Sequence, residues 1–239
     1  MATIAVLTAA GQASRMHQDI PKQFIHVDNK PVVIYTMEAF QRHPSIGGII
    51  AVTLPAWKEV LWAYAKQFNI TKLRWVVPGG ETGQESIRNG LLALQRELPN
   101  EDVTVMIHDG NRPLVTPQII SDSLATFRKY GDAVAVIPCQ EAVFESENGQ
   151  SSCTSIDRDR LFRTQTPHTY RLDDLLAAHR EAEERGIKGT VASCMLMKEL
   201  GKTTHFSTGS EENIKITTVD DLKIFKALLH TRQDDWIKG

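Results

Sequence analysis

Over the first half of the chain, short continuous apolar runs alternate with stretches whose apolar residues recur every three or four positions. Ile4–Leu7 (IAVL), Gly48–Leu54 (GIIAVTL), Leu73–Val77 and Val103–His108 (VTVMIH) have the length and bounding of buried strands. Between them, Val33, Met37 and Phe40 follow Pro31 at helical spacing, and Pro44 stops that helix. Val60, Tyr64 and Phe68 form a stripe within a predicted helix over Ala56–Phe68, and Ser86, Ile87, Leu91 and Leu94 mark a third helix. Strand alternating with helix predicts an α/β fold, a doubly wound and mostly parallel sheet with helices on both faces, joined by right-handed crossovers. A helix over Pro117–Tyr130 and a strand over Ala133–Pro138 continue the pattern.

The alternation then breaks. Cys139–Arg163 is polar, with Asn148-Gly149 between two strand-like runs, a strong hairpin signal. The reading is a β-arm over 139–163 that projects from a single domain spanning 1–239. Helices over Leu172–Glu184 and Val191–Leu200 follow, then strands over His205–Thr208 and Asn213–Thr217. Thr218 and Asp221 form a capping box for a last helix bearing Leu222, Phe225 and Leu229.

In open parallel sheets, ligands bind at the carboxyl ends of the strands. Three pieces of sequence meet at that edge. The first strand empties into Thr8-Ala9-Ala10-Gly11, small residues that let backbone approach a ligand, and Arg15 and Lys22 follow. Backbone amides flanked by cations suit a polyphosphate, although an ordinary strand-to-helix turn with solvated charges fits the same residues. The third strand ends at Pro78-Gly79-Gly80, and the fourth delivers Asp109, followed by Gly110-Asn111-Arg112-Pro113. Asp109 is suited either to a divalent ion held against phosphate oxygens or to a turn or helix cap. Arg112 is a ligand cation or a brace for its own loop. His108, at a strand end, reads as structural.

Composition narrows the partner. A net charge of −2 gives no general attraction to nucleic acid or membrane, so an anion site must be made by local cations, and the expected partner is small. Cys139, Cys153 and Cys194 are odd in number and lack a CxxC pair, which argues against a disulfide framework or a zinc knuckle. No cationic start with an apolar segment behind it is present, so a cytoplasmic protein is expected. A Walker loop and the GxGxxG fingerprint are both absent, which weakens ATPase and dehydrogenase readings. The histidines show no metal-ligand spacing.

Six motifs in register, AAGQASRM, PKQF, GGETGQESIRNGL, HDGNRPLV, SIDRDRLFRTQTP and NIKITTVDDL, resemble the cytidylyltransferases acting on 2-C-methyl-D-erythritol 4-phosphate or, in a sister branch, ribitol 5-phosphate. The resemblance runs from about Ile4 to Leu229. It implies a nucleotidyltransferase variant of the Rossmann-like fold, a homodimer paired through the arm, and CTP, a small polyol phosphate and Mg2+ at the site. Ala9, Ala10, Gly11 and Gly110 would line the CTP site, with Gly80 and Ser86 reading the cytosine and Asp109 holding magnesium. Arg15 and Lys22 would stabilise the triphosphate in the transition state. Arg158 and Lys215 would grip the acceptor's phosphate, Arg158 from the partner subunit.

The chain departs from the family pattern at several positions. Ala13 replaces a second glycine, and Gly83 replaces an arginine near the base. Glu141-Ala142 stands for an Asp-Thr pair, and Val191-Ala192 stands for a Thr-Asp or Ser-Asp pair, both on the acceptor side. The nucleotide half is therefore expected to be intact and the polyol pocket altered. PAWKEV, FNITK and KITTVDDLKI lean toward the ribitol branch, whereas SIRNGL leans toward the methylerythritol branch. Two alternatives stand beside an active enzyme: a CTP-binding relative without catalysis, and a nucleotidyltransferase for another base or sugar phosphate.

Overall fold

The computed structural model describes residues 2–11, 20–99 and 101–231. In chain order the first half runs β1 (Ala2–Ala9), β2 (His26–Val27), β3 (Lys30–Pro31), α1 (Val32–Arg42), β4 (Gly48–Thr53), α2 (Lys58–Gln67), β5 (Leu73–Pro78), α3 (Gly83–Glu97) and β6 (Val103–Asp109). It continues with α4 (Pro117–Tyr130), β7 (Asp132–Pro138), β8 (Val143–Glu145), β9 (Thr154–Ile156), β10 (Phe162–Arg171), α5 (Leu172–Glu184), α6 (Ser193–Glu199), β11 (Phe206–Thr208) and α7 (Val219–Thr231). The main sheet has strand order β11-β7-β10-β6-β1-β4-β5. Every pairing in it is parallel except those of β10, which runs antiparallel to both β6 and β7.

The alternation within β1 explains the double winding. Ala5, Leu7 and Ala9 point to one face, where they pack with Val33, Met37 and Phe40 of α1, Leu61 of α2, and Ile120 and Leu124 of α4. Ile4 and Val6 point to the other, against Ile87, Leu91 and Leu94 of α3, Leu175 and Leu176 of α5, and Leu196 of α6. A strand buried on both faces must be apolar at nearly every position, which is why IAVL reads as an unbroken run. A third cluster joins Phe225 of α7 to Val27, Val32, Leu114 and Ile216.

Local signals were largely obeyed. Thr218 and Asp221 cap α7 reciprocally, Asp221 N donating to Thr218 Oγ1 at 3.2 Å and Thr218 N to Asp221 Oδ2 at 2.8 Å. The hairpin β8–β9 forms a small sheet of its own, its loop closed by Asn148 Oδ1, which accepts from Gln150 N and Ser151 N at 2.9 and 3.0 Å. Four expectations are corrected. Phe162–Arg171 is a central strand, so the arm ends before Phe162. Asn213–Thr217 is not a strand; its one backbone contact of this kind is Ile216 N to Asn111 O at 2.9 Å. On α2 the buried residues are Leu61 and Ala65, and Val60, Tyr64 and Phe68 sit at the edge of that face. Helix α6 begins at Ser193, leaving Val191 and Ala192 in the segment before it.

Candidate active site

A cavity of about 620 Å3 opens at the carboxyl ends of β1, β5 and β6. Ala10 and Gly11 form one wall with Lys22 and Gln23; Gly80 to Gly83 with Ser86 form another; Thr164 to Thr166, Val191 to Ser193 and Lys215 form the third, and Asp109 stands with Asn111 and Arg112 among them. Among the described lining residues, Lys22, Arg112 and Lys215 face Asp109 and Glu81. The local balance is cationic in a chain that is slightly acidic overall, as an anion site in such a protein requires.

Asp109 is the electrostatic centre. Its Oδ2 accepts from Arg112 Nε at 2.9 Å, and its Oδ1 accepts from Lys215 Nζ at 3.0 Å. Its backbone N donates to Thr166 Oγ1 at 3.1 Å. Burial pushes its carboxyl up, but the Lys215 and Arg112 cations outweigh burial and hold it far below the usual carboxylate range. Arg112 is in turn fixed by donating from Nη1 to Asn213 O at 2.7 Å. Arg112 is thus a brace, and Lys215 is placed between Asp109 and the open cavity.

Behind this group, His108 is sealed from water. Burial lowers it to about 3, so it is neutral, with Nδ1 3.0 Å from Thr166 Oγ1 and Nε2 3.2 Å from Arg112 O. His168 is likewise lowered to about 4 by burial, and its Nε2 lies 2.8 Å from Gln165 O. Both rings hold the scaffold rather than shuttle protons.

The wall formed by Gly80 to Gly83 and Ser86 depends on close approach. A Cβ at Gly79 would lie 2.4 Å from Ala10 Cβ and 3.1 Å from Ser86 Oγ, so the β1 and β5 loops meet only because Gly79 has no side chain. Ser86 Oγ accepts from Gly80 N at 3.1 Å and fixes the loop. Thr82 and Glu85 make a capping box at the start of α3.

The structure brings Ala10, Gly11, Lys22, Gly80, Ser86, Asp109 and Lys215 together around the cavity. Ala9 and Gly110 stand behind its wall: Ala9 O accepts from Thr53 Oγ1 at 3.3 Å and from Gln23 Nε2, and Gly110 N donates to Thr8 O at 2.9 Å. Arg158 lies on the arm, exposed, with Nη1 donating to Gln140 O at 2.9 Å, and does not line this cavity. Glu212 is exposed and does not line it either. Arg15 and Ala13 lie outside the described residues.

Several lining or supporting residues had no assigned role in the sequence: Gln23, Asn111, Gln165, Thr166 and Asn213. All fall inside the quoted motifs. Their partners lie far along the chain, such as Asn213 Nδ2 to Thr166 O at 2.9 Å and Gln165 Nε2 to Ser210 O at 2.7 Å.

A doubly wound sheet with a cationic cleft at its carboxyl edge is a nucleotide-binding architecture. The same fold is seen in the crystal structure of 4-diphosphocytidyl-2C-methyl-D-erythritol synthase from Anaerococcus prevotii, with a TM-score of 0.82 at 23% identity over 96% of each chain. The chain belongs to the 2-C-methyl-D-erythritol 4-phosphate cytidylyltransferase family, whose model matches residues 3–231. It is 40% identical over 232 residues to the ribitol-5-phosphate cytidylyltransferase of Lacticaseibacillus paracasei, covering 96% of this chain and 98% of that one. It is 38% identical over 231 residues to the 2-C-methyl-D-erythritol 4-phosphate cytidylyltransferase of Clostridium acetobutylicum, covering 94% and 96%.

Proposed function

We propose that this chain transfers a cytidylyl group from CTP to the phosphate of a polyol phosphate of the ribitol 5-phosphate or 2-C-methyl-D-erythritol 4-phosphate type. The observation that supports it most is the group Asp109, Arg112 and Lys215, set in one cavity with Lys22 and the Gly80–Ser86 loop. Relatives bearing the two names are 40% and 38% identical, a difference too small to choose the acceptor.

An acceptor phosphate oxygen attacks the α-phosphorus of CTP. The new P–O bond forms as the bond from the α-phosphorus to the oxygen bridging to the β-phosphorus breaks, and pyrophosphate leaves with that oxygen and its electrons. No proton need be removed from a phosphate that is already ionised, so no protein nucleophile or general base is required. Catalysis is then positioning plus electrostatic stabilisation. Lys22, beside Gly11, would meet charge building on the triphosphate, with Arg15 in the same role. Lys215 would exchange Asp109 for the acceptor phosphate. Gly80 and Ser86 would read cytosine.

Magnesium fits the donor set. Among the described residues no cluster of three or more acidic, His or Cys side chains is present, so a full protein cage is not available. Asp109 alone suits Mg2+, which ordinarily takes one or two carboxylates and completes its shell with phosphates and water. When bound it would neutralise phosphate charge.

The arm supports a homodimer, since Phe144 and Ile156 on it are 63% and 38% exposed, and Arg158 beside them would reach the partner subunit's site. Three unpaired cysteines support a cytoplasmic location.

The test is pyrophosphate release with CTP and Mg2+ against ribitol 5-phosphate, methylerythritol 4-phosphate and related tetritol, pentitol and glycerol phosphates. Turnover with one member is the expected result. Tight CTP binding with no turnover across the panel would favour a relative that only binds, a reading that Ala142, Val191 and Ala192 motivate. Lys22→Ala should lower kcat/KM by about 3 kcal/mol, the cost of one preorganised donor; a loss under about tenfold would remove Lys22 from the chemistry.

A further inference from the structure

The cavity wall formed by Val191 to Ser193 has two features the proposed chemistry does not use. Ser193 is 2% exposed and lines the cavity, yet its hydroxyl has no hydrogen-bond partner among the described residues. A buried hydroxyl left unpaired is destabilising, so a fold retains one at a cost unless something else satisfies it. A serine hydroxyl turns between staggered positions about a single bond, so a ligand seated on this wall can engage it.

The segment leading to Ser193 is tied to α3 by Gln84. Gln84, in the first turn of α3 directly after the base loop, accepts from Thr190 N and Thr190 Oγ1, both at 3.0 Å, and donates from Nε2 to Ile187 O at 3.1 Å. The segment is otherwise loosely built, with Gly186 and Gly189 at φ 70° and 71° and Val191 86% exposed. Immediately beyond, Ala192 and Cys194 are pinned against Val134 and Val136. The Gln84 carboxamide therefore ties the start of α3 to the segment that leads to Ser193.

We propose that Ser193 is a specificity-determining residue whose hydroxyl bonds a hydroxyl of the acceptor, and that Gln84 is the positioning residue that holds its segment against the base loop. The inference rests on the cytidylyl-transfer reading, because only that reading gives the cavity an acceptor to hold beside the nucleotide. It assigns the acceptor class as a phosphate ester with a free hydroxyl in reach of this wall, in place of the carboxylate that Ala192 cannot supply.

The experiment compares wild type, Ser193→Ala, Gln84→Ala and Gln84→Glu by thermal melting, CTP affinity, and acceptor KM and kcat with the acceptor found in the panel and its mono-deoxy analogues. Ser193→Ala removes an unpaired group, so its melting temperature should equal or exceed wild type. Its acceptor KM should rise about five- to tenfold, the size of one neutral hydrogen bond, with CTP affinity within about twofold. For one deoxy analogue the substitution should make no further difference. Gln84→Ala should raise acceptor KM at least about tenfold, and Gln84→Glu, which keeps both bonds accepted from Thr190, should recover part of that loss.

An unchanged acceptor KM in Ser193→Ala, or a lowered melting temperature with kcat and KM both intact, would overturn the assignment of Ser193 while leaving the cytidylyl reading standing. A Gln84→Ala effect that falls equally on CTP and acceptor would overturn its positioning role. Absence of turnover by the wild type across the panel would overturn the reading beneath both.

Discussion

Gly79 and Asp109 define the site at the scale of single residues, one through the atom it lacks and the other through the charges around it. A methyl group on Gly79 would meet Ala10 Cβ at 2.4 Å, and that atom is fixed to backbone, so neither loop can yield cheaply. Gly79→Ala should therefore separate the β1 and β5 loops and weaken CTP binding by on the order of tenfold or more, since displacements near 1 Å carry costs of that size. Calorimetric titration with CTP checks this; an unchanged affinity would mean that the contact between the loops does not shape the site. Asp109 behaves oppositely, because its environment is crowded with partners. With Arg112 on Oδ2 and Lys215 on Oδ1, the carboxyl stays ionised across the working pH range.

At the scale of elements, the first turn of α3 forms part of the cavity wall, so its cap fixes both the helix and that wall. Thr82 Oγ1 accepts from Glu85 N at 3.1 Å, while Glu85 Oε2 accepts from Thr82 N at 3.2 Å and Glu81 N at 2.8 Å. Thr82→Ala removes one half of this exchange and should cost about 1 kcal/mol of stability, read as a lower urea midpoint with an unchanged slope. A midpoint equal to wild type would show that Glu85 alone holds the turn. The Gly79-Gly80 pair and the Thr218-Asp221 box of α7 were legible as sequence because each involves residues within a few positions. Strand β10 was not. FRTQTPHTYR contains no apolar run, and it is buried only because it lies between β6 and β7, where Thr166 meets His108 at 3.0 Å and Thr169 meets Ser123 at 2.7 Å. Gln165, Thr166, His168 and Thr169 are tolerable inside because each finds a partner there, whereas the buried Tyr170 hydroxyl finds none among the described residues.

Across the whole molecule, His108, His168 and His179, three of the buried histidines, make stability depend on pH. Burial lowers His108 to about 3, and His168 and His179 to about 4, so all three are neutral in the folded chain below the pH at which an unfolded histidine charges. The unfolded state then binds more protons, so stability is complete above about pH 6.5 and falls as pH drops toward about 4, by up to ~1.4 kcal/mol per pH unit for each ring. Urea midpoints at pH 7.5, 6 and 5 should decline accordingly, and a flat profile would contradict the burial of these rings. His179 isolates one share, since neither of its ring nitrogens has a partner. His179→Leu should leave stability at pH 7.5 unchanged or higher and make the acid decline shallower. What the sequence determined by itself was whatever is encoded in short range: the strand and helix periods, the doubly wound class, the caps, the glycine loops and the placing of Asp109 at a strand end. Only the tertiary structure decided the antiparallel place of β10, the pairing of Asp109 with Lys215 from 106 residues away, and the latch of Gln84 on Thr190 from a similar distance. Hydrophobic periodicity repeats within a few residues and can be read in any window, whereas a polar side chain declares its partner only once the chain has brought the two within hydrogen-bonding distance.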